Sequence, residues 1–170
     1  MLNTTPHFGI DMEDIIIKKN VLDDRRYKDV ETIFTQQQLW SLNSKNETPY
    51  LYHTSYLNNT PISRTFDECD VFLETFEVHT LHSIYFKCFL RTDDVQEYDW
   101  DSLVDDEHAK DMYTTLFFIN SNDGYSLFEQ NHGVKSVANQ AATFSSSLKF
   151  KDSTCTNRKA RIVMYMNYFK

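Results

Sequence analysis

The densest run of side chains able to do chemistry lies at 93–111, where Asp93, Asp94, Glu97, Asp99, Asp101, Asp105, Asp106, Glu107 and Asp111 share one acidic, aperiodic stretch. Carboxylates this close together could converge on a hard cation such as calcium. The stretch lacks the EF-hand spacing and its central glycine, and a solvated loop is the plainer account of such a run. His108 precedes Asp111 by three residues, and His79 and His82 stand three apart, a spacing that suits a metal site or a pair of surface or capping histidines. His132 sits in a turn beside Gly133, while His7 and His53 have no partner in sequence. Ser145, Ser146 and Ser147 lack the Gly-x-Ser-x-Gly elbow that activates a serine, and the chain has no P-loop, GxGxxG or HExxH. Cys69, Cys88 and Cys155 form an odd set without CxxC spacing, which reads as reduced, buried thiols.

Any such chemistry would be positioned by a series of short β-type segments in the last third of the chain. They are expected at 112–120, 125–129, 133–138, 141–149 and 160–169. In the first, Tyr113, Thr115, Phe117 and Ile119 alternate with Thr114, Leu116 and Phe118, so both faces are fairly apolar, as in a strand covered on two sides. In the last, Ala160, Ile162, Met164 and Met166 share one face, and Arg161, Val163, Tyr165 and Asn167 the other. One cation therefore points into a mostly apolar face. Turn chemistry at 120–124 and at His132-Gly133 separates the segments. Many short strands at close spacing predict an antiparallel barrel or sandwich.

Upstream, residues 1–14 read as a polar arm. Ile15, Ile16 and Ile17, followed by two lysines, suggest an edge strand. A helix over about 24–40 is expected, capped by Asp23 or Asp24, and a second over about 64–79, with Phe66, Cys69, Leu73 and Phe76 on one face and Ser63 or Thr65 as cap. Strand-like stretches fall at 49–57 and 83–91. The whole of 15–170 is expected to be one domain, large enough to bury ~70% of the surface its unfolded form exposes.

Composition narrows the function. A formal charge of −8 repels a phosphate backbone, so nucleic acid is not an expected partner. Neither a signal peptide nor a long apolar run is present, so export by a leader and a membrane span are not expected.

The order Phe-Phe-Ile-Asn-Ser-Asn-Asp-Gly-Tyr at 117–125, Val-Lys-Ser-Val-Ala-Asn at 134–139, Thr-Phe-Ser-Ser-Ser-Leu-Lys at 143–149, Thr-Cys-Thr at 154–156 and Arg-Ile-Val-Met-Tyr-Met-Asn-Tyr at 161–168 resembles the iron(II)/2-oxoglutarate oxygenases, especially the small prolyl-hydroxylase-like members carried by tailed phages. The resemblance covers about half of the chain, from Leu81 onward. It implies a mainly β fold with N-terminal helices, the double-stranded β-helix or jelly roll, whose first barrel strand is the one at 83–91. Members of that family bind iron with a His-x-Asp motif and a second histidine. An arginine on the last strand pairs with the far carboxylate of 2-oxoglutarate.

By that resemblance the His-x-Asp position falls on Leu103, Val104 and Asp105, the distal histidine position on Phe150, and the 2-oxoglutarate arginine on Arg161. Leucine and phenylalanine offer no lone pair, and Asp105 alone is a modest ligand for iron. Arg161 could equally be an ordinary strand-start cation in a salt bridge. The expectation is a degenerate site with no metal and no cofactor: a pseudoenzyme that acts as a structural or interaction component, bound to other proteins. The phage-borne relatives imply a virion, around its neck, tail or baseplate, with virion subunits or further copies of the chain as partners; outside a particle it would sit in the host cytoplasm. The alternatives are an active oxygenase with a displaced ligand set drawing on His108, and a calcium-stabilised binding module built on the acidic loop.

Overall fold

The computed structural model describes residues 15–44, 48–101 and 109–170. Strand β1 (Ile15–Lys19) leads to helix α1 (Asp24–Thr32), a π turn at Ile33–Gln37, and strands β2 (Ser41–Asn43), β3 (Tyr50–Leu57) and β4 (Thr60–Pro61). A 3-10 turn at Arg64–Cys69 runs into helix α2 (Asp70–Thr75), and then come β5 (Thr80–Leu90), β6 (Tyr113–Phe118), β7 (Tyr125–Phe128), β8 (Gly133–Lys135), β9 (Gln140–Ser145), β10 (Phe150–Asp152) and β11 (Ala160–Phe169). All pairings are antiparallel. The larger sheet has the order β1-β9-β6-β11-β5-β3-β2, with β4 beside β3, and the smaller has the order β10-β7-β8. Bridges from Glu97 to Ser153 and from Asp101 to Phe150 lay the acidic segment along the free side of β10. Two facing sheets with strands that cross between them make the jelly roll expected from the sequence.

The alternation read from the sequence sorts the core into two layers. Ile84, Phe86, Phe117, Ile162, Met164 and Met166 face the helices, where Phe34 stacks on Phe86 and Phe72 packs on Phe117. Phe89, Leu116, Phe118, Phe144, Val163 and Tyr165 face inward and meet Phe128 and Phe150 of the smaller sheet. β1 lies at the edge of the larger sheet, as its lysines suggest.

Both helices are shorter than their periodicity predicts. α1 is capped by the Asp23 carboxylate, which accepts from the Arg25 and Arg26 amides at 3.1 and 3.0 Å. It gives way at Thr32-Ile33, where β-branched residues crowd the preceding turn and the Thr35 hydroxyl donates back to the Glu31 carbonyl at 2.6 Å. α2 stops where Glu77 takes a left-handed φ of 55° and the Val78 amide reaches back to the Leu73 carbonyl. The continuous strand expected over 141–149 is two strands: the Ser145 hydroxyl accepts from the Ser147 amide, the Leu148 amide bonds the Ser145 carbonyl, and β10 starts afresh in the other sheet. No helix among the described residues is long and apolar enough to cross a membrane.

Candidate functional site

The site is assembled at the β10 end of the space between the sheets. β10 contributes Phe150 and Asp152, β11 contributes Arg161 and Tyr165, and β5 contributes Lys87 and Phe89. Alternation on β11 puts Arg161 and Tyr165 on the inward face four residues apart. Two residues apart on β10, Phe150 and Asp152 likewise share one face.

Arg161 has no exposed surface. Its Nη1 donates to Asp152 Oδ1 at 2.9 Å and to the Ser153 carbonyl at 3.3 Å, its Nη2 to Ser126 Oγ at 2.7 Å, and its Nε to Ser136 Oγ at 2.6 Å. The Phe89 and Phe118 rings lie 5.2 and 5.8 Å from its guanidinium carbon. Asp152, only 5% exposed, also accepts from Ser126 Oγ at 2.7 Å through Oδ1 and from the Tyr165 hydroxyl through Oδ2. Each charge is thus paired and each carboxylate oxygen bonded, which is the condition under which a buried ion pair is tolerated. Burial and the neighbouring Asp152 carboxylate push the Tyr165 hydroxyl well above its usual range, so it stays a proton donor. Gly124 lies against this cluster: a Cβ there would meet the Thr154 carbonyl at 2.6 Å and Arg161 Cδ at 2.7 Å.

Phe150 is 1% exposed and ringed by Phe128, Phe144 and Tyr165 at centroid distances of 5.7, 5.4 and 6.3 Å. Across from it, Asp101 is held by Lys87 Nζ at 2.8 Å. That ammonium lies 5.3 and 5.0 Å from the Tyr50 and Tyr165 rings. A cavity of about 240 Å³ opens above these residues, lined by Tyr50, Tyr98, Trp100, Lys87, Asp101 and Asp152 among others.

Of the positions singled out in the sequence, Arg161 and Phe150 fall in this one region. Leu103 and Asp105 lie outside the described residues, as do His7 and His108. His53 is on the helix side, where its Nε2 is 2.9 Å from Ser63 Oγ and 2.8 Å from Thr65 Oγ1. The Nδ1 atoms of His82 and His132 are buried without a hydrogen-bond partner among the described residues. Cys69, Cys88 and Cys155 are free and buried; burial pushes the Cys69 and Cys88 thiols up to about 12. Among the described residues no group of three or more His, Cys, Asp or Glu side chains could hold a metal ion. Sequence reasoning missed Asp152, Ser126, Ser136 and the Lys87–Asp101 pair. Phe150 was singled out only by the family resemblance, and a strand of three residues gave no signal for Asp152 beside it.

Solved structures that share this architecture include prolyl hydroxylases and a 2OG-Fe(II) oxygenase family member. A Pseudomonas putida prolyl-4-hydroxylase superposes with a TM-score of 0.62 over 92% of each chain at 11% identity. A Trichoplax adhaerens prolyl hydroxylase, solved with a peptide fragment of the hypoxia inducible factor oxygen degradation domain, gives 0.67 over 92% of this chain and 83% of that one at 12% identity. A 2OG-Fe(II) oxygenase family oxidoreductase from Burkholderia pseudomallei gives 0.64 over 91% and 85% at 9% identity. At identities this low, the superpositions show a shared fold and nothing further. No protein-family model matches the sequence, and no curated protein matches it.

The iron those enzymes use needs open coordination positions flanked by imidazole and carboxylate donors. The described donors here do not fit it. Phe150 has no lone pair, and the nearby carboxylates of Asp101 and Asp152 already pair with Lys87 and Arg161.

Proposed function

We propose that this chain is a non-catalytic relative of the 2-oxoglutarate oxygenases, a pseudoenzyme kept as a structural or interaction component. The observation that carries the reading is the aromatic plug. Phe150, at the position where the resemblance puts the distal histidine, packs with Phe128, Phe144 and Tyr165 into a cluster whose members are at most 2% exposed. Hydrocarbon in that place stabilises the sandwich, whereas an unpaired imidazole would cost free energy. Leu103, assigned to the first histidine position by the resemblance, likewise offers no lone pair. Asp105, the remaining carboxylate, would stand without either imidazole.

Its partners are other proteins: virion subunits of a tailed phage, in the neck, tail or baseplate region, or further copies of the chain. This rests on the likeness to phage-borne relatives and on the charge of −8, which disfavours nucleic acid. Mass spectrometry of purified particles of the virus that encodes the chain tests the location; the chain should be present in stoichiometric amounts, and its absence overturns the virion assignment. The loss of catalysis is tested by anaerobic calorimetric titration of the intact protein with Fe(II) and 2-oxoglutarate. No saturable heat is expected, and binding that disappears in Arg161→Met would overturn the reading in favour of an active hydroxylase with a displaced ligand set. For the calcium-stabilised module, a melting temperature raised by calcium and lowered by EDTA would be the sign.

A further inference from the structure

Arg161 poses a separate question, because a fully buried guanidinium must be given a counter-charge from somewhere. Its fork offers five N–H donors. Two neutral hydroxyls, Ser126 and Ser136, take Nη2 and Nε, and one carbonyl, that of Ser153, shares Nη1. None of these carries charge. The sole anion in contact with the guanidinium among the described residues is Asp152, on a different sheet, at 2.9 Å. The carboxylate is bound as an incoming ligand would be: one oxygen takes Arg161 and Ser126, the other takes Tyr165. The walls are the Phe89 and Phe118 rings, and the close approach of Gly124 leaves room for the arginine stem.

We propose that the pocket around Arg161 is a carboxylate-binding site whose resident ligand is the chain's own Asp152. The protein carries its anion in cis, from β10 to β11, and the bound carboxylate clamps the smaller sheet onto the larger. The receptor half, made of Arg161, Ser126, Ser136 and Tyr165, is complete without the Asp152 side chain. A small monocarboxylate from solution therefore fits wherever that side chain is removed.

The experiment is rescue by formate. Asp152→Ala deletes the carboxyl group and leaves a space of formate size beside Arg161. Thermal unfolding of Asp152→Ala is followed in rising sodium formate, with sodium chloride at equal ionic strength as the control. The variant should melt several degrees below the parent, and formate should raise its midpoint saturably while chloride does not, because a ligand bound only by the folded state raises apparent stability. The parent chain and Arg161→Met/Asp152→Ala should show no formate-specific shift. If Asp152→Ala is unfolded in chloride, the same comparison is made on its near-ultraviolet circular dichroism, which formate should restore. A formate effect equal to that of chloride, equal in the parent, or surviving in the double variant overturns the proposal, as does a chain that stays unfolded in formate. The two failures are distinguishable: 2-oxoglutarate seated on Arg161 of the intact chain would overturn both the loss of catalysis and the place given to Asp152, whereas failed rescue overturns only the role given to Asp152.

Discussion

Replacing Phe150 by histidine puts an imidazole at the position to which the sequence resemblance assigns the distal histidine, and the structure sets what that should cost. The parent ring is 1% exposed and touches three aromatic neighbours. Losing most of a buried phenyl's transfer free energy removes ~1.5–3 kcal/mol. Each imidazole nitrogen left without a partner adds ~1–3 kcal/mol. A nitrogen turned toward Asp101 finds that carboxylate already held by Lys87. A net loss of about 3–5 kcal/mol follows. For a chain of this length, at ~2–4 °C per kcal/mol, the midpoint should fall by roughly 6–20 °C. Phe150→Leu, which keeps the site apolar and leaves only a small cavity, should lose less, about 1–2 kcal/mol. Calorimetric melting of the three proteins, each with and without added Ni(II), reads both the cost and any gain of metal. A Phe150→His protein as stable as the parent, or one raised by Ni(II) well above its metal-free midpoint, would refute the reasoning, because the plug would then be a metal site lacking one ligand.

Three further outcomes are expected. Gly124→Ala should lose ~1–3 kcal/mol by overpacking, since its Cβ would lie 2.7 Å from Arg161 Cδ and 2.6 Å from a carbonyl that cannot swing away; parent-like urea unfolding would contradict this. Burial lowers the His53 pKa from 6.5, so the unfolded chain binds the proton more readily. Stability from this group is then complete above the unfolded pKa and is lost as pH falls through the folded one; the urea midpoint should drop between about pH 7 and about pH 5, less so in His53→Gln. The three thiols should resist a thiol-specific reagent in the folded protein and react together in denaturant, because burial holds Cys69 and Cys88 in the unreactive protonated form and removes all three from solvent.

The fold was largely legible because alternation survives in the long strands. β11 begins at Ala160 and ends at Phe169 as its pattern requires, and its two faces divide between the helix side and the sheet interface. What stayed hidden is set by short-range chemistry. Three residues of β10 cannot display a period, and the serines before it look like more strand although their hydroxyls make the turn. The ends of α1 and α2 are likewise decided by one threonine back-bond and one left-handed Glu77 rather than by the apolar stripe. At the site, Arg161 was visible as a cation with the wrong face for solvent. Its counter-ion was not, since Asp152 comes from another sheet and only the packing of the two sheets brings them together.

Anomalous diffraction from crystals soaked in Mn(II) and 2-oxoglutarate under anaerobic conditions tests the proposed loss of the metal site most directly. The expected map has no manganese peak between the sheets, Phe150 still packed on Phe144, and Arg161 still on Asp152. A manganese peak with imidazole ligands, and a cosubstrate carboxylate on Arg161 in place of Asp152, would contradict the account.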